Sequence, residues 1–294
     1  MKYSKLLKKN EVLILLFHGV VKKKYSKILD PASKHVTVKR FESIIKDLNS
    51  KGEPISLKKF FRLKKLKKKS FIITFDDGFH NNLLALKILK KFKVPATFYI
   101  TTNFVKNNLM SWVDMIDYAV NKTKRKKINI INNSFNLSGV KNKIEFQKKI
   151  RIIVKNNMKI DESILAKKIQ KKLIGKIVNT SNLEIYKKLN WEDIVKINKN
   201  ELFDIGLHSH NHEILTKLSD KKLKRTIELS KNLLKQFTNI NTDLFAYPDG
   251  QSNHYSQKVI RVLKKCGFLS SPTAIEGHNK LSSNKFRLRR FFAT

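Results

Sequence analysis

Two short stretches carry the residue types of a hydrolytic centre: Thr74-Phe75-Asp76-Asp77-Gly78 and His208-Ser209-His210-Asn211-His212. Carboxylates in the first and imidazoles in the second are ligands that hold a divalent ion. A hydrolytic metal site also needs a base beside the ion and an open position for water. Adjacent carboxylates repel, so Asp76 and Asp77 require a cation or an arginine to offset them. His208 and His212 stand four apart and share a face if the chain turns helical there. In an extended chain, His208, His210 and His212 share one instead. The bland alternatives are an Asp-Gly hairpin turn and a polar loop that happens to be rich in histidine. Three of the eight histidines fall within these five residues, which argues against chance. Imidazole with carboxylate suits zinc, and also cobalt, nickel or iron.

Something must bring these distant stretches together. Phe71 to Phe75 is a short apolar, β-rich run that reads as a buried strand, with Asp76 at its C-terminal end, where α/β sheets bind ligands. Gly78 would let the backbone turn sharply there. Residues 81–93 carry Leu83, Leu84, Leu86, Leu89 and Phe92 and read as a helix, which disfavours the hairpin. Leu202 to Leu207 reads as a strand delivering His208. Helices are expected at Thr37–Ser50, Ser219–Phe237 and Val259–Gly267, and strands at Pro95–Ile100 and around Phe245. Such alternation predicts a parallel sheet. Between residues 106 and 189 apolar side chains recur at helical spacing, as in Ile144, Ile150, Ile153 and Val154, or Leu165, Ile169 and Leu173. This is expected to be a Lys-rich helical insertion, opened by an amphipathic helix at Ser111–Val120. It would serve as a lid, a substrate platform or a passive cover.

The motifs, in this order and at these strand ends, resemble the polysaccharide deacetylase (NodB-type) family, which includes chitooligosaccharide and peptidoglycan N-acetylglucosamine deacetylases. The resemblance covers residues 11–105 and 190–292. It implies an α/β fold closed into a distorted, seven-stranded (β/α) barrel, one domain over 1–294 with 106–189 inserted in it. It implies that Asp76 is the general base, that Asp77, His208 and His212 hold one divalent ion, and that the substrate is an acetylated saccharide. Phe245-Ala246-Tyr247-Pro248-Asp249-Gly250 resembles the third motif, placing Tyr247, Pro248 and Asp249 at the oxyanion and substrate site, with a backbone N–H near Asp249 as donor. Many relatives carry an arginine where Ala246 stands. FAYP-type branches end in a Leu-x-Arg element, which Leu288-Arg289-Arg290 resembles, so Arg290 is expected to hold Asp76, with Arg289 as fallback; a merely basic tail is the alternative. The usual C-terminal strand ending in a catalytic histidine is missing. Val12 to Val20 looks like that strand moved to the N-terminus, as in permuted relatives, making His18 the general acid.

Composition bounds the partners. The 63 basic and 23 acidic residues give +40, a pull toward nucleic acid or an anionic membrane face. The excess is mostly Lys beside abundant Asn and Ile, as A/T-rich codons would produce. It is spread through the helices, densest at Arg62–Lys69 and Lys122–Lys127, and no nucleic-acid-binding signature accompanies it. Nucleic acid is therefore disfavoured as a partner, and attraction to anionic lipid headgroups stays open. The single cysteine, Cys266, excludes an internal disulfide. No apolar run reaches membrane-spanning length. With no clear signal peptide, the expected location is the cytoplasm, peripheral at the inner membrane face. The rival readings are a basic nucleic-acid-binding protein on an inactive hydrolase scaffold and an amidase for a small non-sugar amide.

Overall fold

The computed structural model describes residues 2–157 and 159–294. The chain begins with β1 (Val12–Phe17), β2 (Gly19–Val21), β3 (His35–Thr37), α1 (Val38–Asn49), β4 (Glu53–Pro54) and α2 (Leu57–Arg62). It continues through β5 (Ser70–Phe75), α3 (Leu83–Lys91), β6 (Ala96–Ile100) and α4 (Thr102–Asn107). Next come α5 (Trp112–Lys122), β7 (Lys127–Ile130), β8 (Asn133–Asn136), α6 (Gly139–Asn156) and α7 (Glu162–Ile174). It ends with α8 (Trp191–Asn198), β9 (Phe203–Leu207), α9 (Asp220–Thr238), α10 (Gln257–Lys265) and β10 (Phe291–Phe292).

The strands β10, β1, β5, β6 and β9 lie side by side in that order, all parallel. β1 and β5 are apolar along almost their whole length and buried at every position, as strands covered on both faces must be. Beyond β9 the pairing continues through single bridges, Leu207 to Phe245 and Leu244 to Ser270. The Thr273 N–H then donates to the Leu288 carbonyl at 2.8 Å, which leads back to β10. The ring closes, giving a distorted (β/α) barrel. The distortion lies where a full strand is expected at Phe245. Pro248 and Pro272 interrupt these segments, and proline has no N–H to give a ladder.

The barrel strands and the helices around them share one apolar core. The insertion has its own, built from Trp112, Met115, Phe146, Ile150, Ile169 and Tyr186 among others. It is not all helical. Lys127–Ile130 pairs antiparallel with Asn133–Asn136, and Ile131 and Asn132 turn the hairpin at φ 51° and 55°, the left-handed pair such tight turns need. Its strand period is visible in alternating exposure at Lys127, Ile128, Asn129 and Ile130, a run too short to stand out among lysine-rich helices. The runs Arg62–Lys69 and Lys122–Lys127 are largely exposed, with only Leu66 and Thr123 buried. Among the described residues no helix is long and apolar enough to cross a membrane.

Candidate active site

The register of β1 against β5 sets Phe17 beside Phe75, so His18 and Asp76 leave neighbouring strands at the same end. The Asp76 N–H donates to the Phe17 carbonyl at 2.9 Å. Asp77 and Gly78 both turn left-handed, at φ 73° and 68°. Glycine takes that conformation freely, and aspartate tolerates it better than most residues. On the far side of His18, a Cβ at Gly19 would lie 2.3 Å from the His35 ring and 2.6 Å from Asn81 Oδ1. Glycine is required there because the chain leaves the rim in close contact with its neighbours.

β9 delivers His208 to the same end, with Leu207 beside Ile100 of β6. The following loop is neither helical nor extended. Ser209 and His212 take φ 62° and 60°, and these reversals bring His212 back beside His208, their ring centroids 4.9 Å apart. Glu213 staples the loop: its carboxylate accepts from Ser209 Oγ at 2.9 Å, the Asn211 N–H at 3.1 Å and Thr226 Oγ1 at 2.9 Å. Nothing in the sequence singled out Glu213 beyond an acid following the histidines. His210 points elsewhere, its Nδ1 2.9 Å from Thr102 Oγ1.

Three ligand atoms converge, one each from Asp77, His208 and His212, all within 4.8 Å of one another. Asp77 Oδ1 lies 3.2 Å from His212 Nε2 and 3.5 Å from His208 Nε2, yet the orientation gives this buried oxygen no hydrogen-bond donor. Ring nitrogens and a carboxylate oxygen facing one another across a buried gap cost free energy unless a cation lies between them, a metal ion or, without one, a proton on His212. The donor set therefore fits a divalent ion. His208 Nδ1 faces the Ala246 carbonyl at 2.9 Å, a bond that fixes the proton on Nδ1 and leaves Nε2 free to ligate. Burial holds His208 below its ordinary pKa even though Asp76 opposes the shift. Burial also acts on His212, but the Asp77 carboxylate outweighs it and lifts the imidazole to about 9. Asp77 is correspondingly held well below the carboxylate range against its own burial, by His212 foremost.

Asp76 has a different partner. Arg290 Nη1 and Nη2 donate to Asp76 Oδ1 and Oδ2, each at 2.8 Å, a bidentate fork. The guanidinium is itself fixed, Nε donating to the Thr273 carbonyl at 2.7 Å and Nη1 to Thr74 Oγ1 at 3.2 Å. Arg289 instead donates from Nη1 to the Glu276 carbonyl.

In the third stretch, the Tyr247 hydroxyl donates to the Phe286 carbonyl at 3.0 Å and its N–H to the Pro272 carbonyl at 3.4 Å. Pro248 has no N–H. Asp249 turns left-handed at φ 58°, and among the described residues its N–H has no acceptor. Of the three, Asp249 alone has a backbone N–H without an acceptor among the described residues. His18, Asp76, Asp77, His208, His212, Tyr247 and Asp249 line one cavity of about 290 Å³.

The sequence profile of the family described as Polysaccharide deacetylase matches residues 63–270. The chain belongs to that family. No curated protein matches the sequence. Among solved structures the chain is similar to the Streptococcus pyogenes deacetylase PplD, determined in complex with acetate, at 15% identity and a TM-score of 0.61 over 97% of this chain and 93% of that one. IcaB from Ammonifex degensii is 16% identical with a TM-score of 0.58, over 98% and 94%. A polysaccharide deacetylase from Bacillus cereus is 17% identical with a TM-score of 0.59, over 96% of this chain and 64% of its own length. At these identities the similarity concerns the fold.

The cavity also has walls that the family motifs do not provide. Lys34 comes from the segment before β3, Trp112 from α5, and Arg151 and Lys155 from one face of α6. The insertion therefore contributes directly to the pocket. Each cation has a carboxylate partner, buried in the first two cases: Lys34 lies 2.5 Å from Asp114, Arg151 lies 2.5 Å from Asp117, and Lys155 bonds the partly buried Asp249. In a chain so rich in lysine, no local signal distinguishes these side chains from solvated ones.

Proposed function

We propose that the chain removes acetyl groups from N-acetylated sugar units of a saccharide, using one divalent ion, zinc for preference, held by Asp77, His208 and His212. The observation that carries this reading is the division of labour between adjacent aspartates. Asp77 faces two imidazoles, while Asp76, clamped by Arg290, faces the same cavity. A hydrolytic site needs this pair of roles, one acid as ligand and one as base.

A divalent ion supplies Lewis acidity there, lowering the pKa of water toward about 7 and polarising the acetyl carbonyl. Burial would raise the Asp76 pKa, but Arg290 and His208 outweigh it. Its carboxylate therefore stays ionised and accepts a proton from the attacking water. The Asp249 N–H donates to the oxyanion as the carbonyl carbon becomes tetrahedral. His18 is only partly exposed, and the desolvation its surroundings impose draws its pKa to about 4, with Asp77 and Asp76 opposing in part. It enters the reaction neutral. Negative charge building on the acetyl oxygen favours its protonation by the water proton relayed from Asp76, and it passes that proton to nitrogen as the C–N bond breaks. Water's oxygen leaves in acetate and its proton ends on the sugar amine.

The cavity is small for a ligand pocket, the size of one sugar ring with its acetamido arm. A wider groove of about 690 Å³ begins at Trp112, which borders both, and is lined by Asn103, Asn179, Asn211 and Phe104. Aromatic and amide side chains suit sugar faces and hydroxyls, so this groove would take further units of the chain.

The test is acetate release from N-acetylated chitooligosaccharides, with and without a chelator, followed by zinc readdition. Turnover that the chelator stops and zinc restores is expected. Acetate released only from small non-sugar amides would replace the saccharide reading with the amidase one. Unchanged turnover in chelator would remove the metal.

The role of His18 has its own expected result. His18→Ala should keep fold and metal and lose on the order of 10²–10⁴ in kcat on the acetamido sugar. An activated acetate ester, whose leaving group needs little protonation, should be affected far less. Equal losses on both substrates would make His18 structural.

A further inference from the structure

We propose that Lys155 is a positioning residue: the insertion helix α6 brings its ammonium onto the Asp249 carboxylate and so holds the turn whose N–H faces the acetyl group. This rests on the deacetylase reading above and assigns a part of that reaction to the insertion.

The turn requires support. Asp249 and Gly250 are successive left-handed residues, φ 58° and 57°. A non-glycine residue there costs on the order of 1–2 kcal/mol and persists only when its surroundings impose it. The backbone supplies part of this, through Gly250 N–H to the Pro248 carbonyl at 2.6 Å and Ala274 N–H to the Gly250 carbonyl at 2.9 Å. The side chain has one anchor. Lys155 Nζ donates to Asp249 Oδ1, while Asp249 Oδ2 is buried with no donor among the described residues. Lys155 is held in turn because Lys217 Nζ, just past the His212 loop, donates to the neighbouring Val154 carbonyl at 3.0 Å. The end of α6 is thus fixed to the barrel beside the histidines.

The ion pair does two things for the chemistry. It fixes the rotation of the Asp249 peptide, and with it the direction of a donor that the reaction needs placed within tenths of an ångström. It also cancels a negative charge that would otherwise lie against a developing oxyanion. Without Lys155 the partly buried carboxylate is unpaired, and it would protonate, admit water or swing toward the metal ligands. Lys155 need not touch substrate for any of this.

The experiment compares Lys155→Met, Lys155→Arg and Lys155→Met combined with Asp249→Asn, on an N-acetylated chitooligosaccharide and on an activated acetate ester. Lys155→Met should lose about ten- to a hundredfold in kcat on both substrates alike, since both form the oxyanion. KM should stay within about twofold and metal content unchanged. Lys155→Arg should recover most of the loss. The double variant, with no carboxylate left unpaired, should turn over faster than Lys155→Met alone. Should Lys155→Met not fold, the decision passes to Lys155→Arg and to Asp249→Asn alone, which keeps the backbone and removes the charge. Asp249→Asn should then show the smaller loss expected of a turn without its anchor, and wild-type kcat in it would overturn the proposal. A rise in KM at unchanged kcat would make Lys155 a substrate contact. Wild-type kcat in Lys155→Met, with the parent protein active, would sink the role of Lys155 alone. A parent protein inert on both substrates would sink the deacetylase reading as well.

Discussion

His212→Ala should come through purification with little metal and no measurable deacetylation. Two ligands remain after the change, Asp77 and His208. Loss of even an outer partner of a ligand costs about ten- to a hundredfold in metal affinity, so loss of a ligand should cost more. The wild-type site also predicts how affinity depends on pH. Without metal, the Asp77 carboxylate holds the His212 imidazole protonated up to about 9. An ion and that proton compete for the same Nε2, so affinity should rise with pH up to about 9 and level off above it. The sign for stability is the reverse. His212 has its pKa raised from 6.5 to about 9 in the folded metal-free protein. The stability this gives is complete below about 6.5 and is lost as pH rises through about 9. Metal-free wild type should therefore become easier to melt across that window, and metal-free His212→Ala should not. Elemental analysis of both proteins, with melting curves at several pH values, checks the pair of claims. Equal metal content in wild type and variant would take His212 out of the site.

Much of this centre was legible because its constraints are local. A strand buried on both faces must be apolar along its length, so the runs ending at Phe17, Phe75 and Leu207 stand out, as do the polar residues immediately after them. The histidine spacing left a helical pair and an extended triple both open, and the loop takes neither form: positive φ at Ser209 and His212 brings the rings of His208 and His212 together beside Asp77. Arg290 was reachable only through the Leu-x-Arg resemblance. It lies 214 residues from Asp76, and by composition it is one of 63 basic residues. Lys155 was not reachable at all. Its partner lies 94 residues away, and which lysine of α6 meets Asp249 is decided by how the insertion packs on the barrel. Glu213 was missed for the related reason that a loop staple is a matter of backbone path, which residue type alone does not fix. The hairpin at 127–136 was missed because its period-two signal is four residues long.

Asp76→Asn should keep its metal and lose on the order of 10²–10⁴ in kcat, the usual worth of a general base. The substitution preserves shape and removes the lone pair that takes the proton. It also disturbs Arg290, whose two N–H groups now meet one oxygen on each side. An asparagine offers one oxygen and one NH₂, so a buried donor of Arg290 loses its acceptor, at a cost of about 1–3 kcal/mol in stability. A lower melting temperature is therefore expected alongside the lost activity, and it must be separated from loss of the base. Arg290→Lys does this. Lysine keeps a positive charge near Asp76 and gives up the fork, so it should lower stability in the same way while keeping most of the proton transfer. If Asp76→Asn is the slower enzyme of the two at equal metal content and comparable melting temperature, the carboxylate itself is the base. If Asp76→Asn loses its metal together with its activity, the two aspartates exchange roles, and the ligand set becomes Asp76, His208 and His212. His208 Nε2 already lies 3.9 Å from Asp76 Oδ2, against 3.5 Å from Asp77 Oδ1. What favours the assignment made here is that both Asp76 oxygens are committed to Arg290, while Asp77 Oδ1 is buried with no donor of its own.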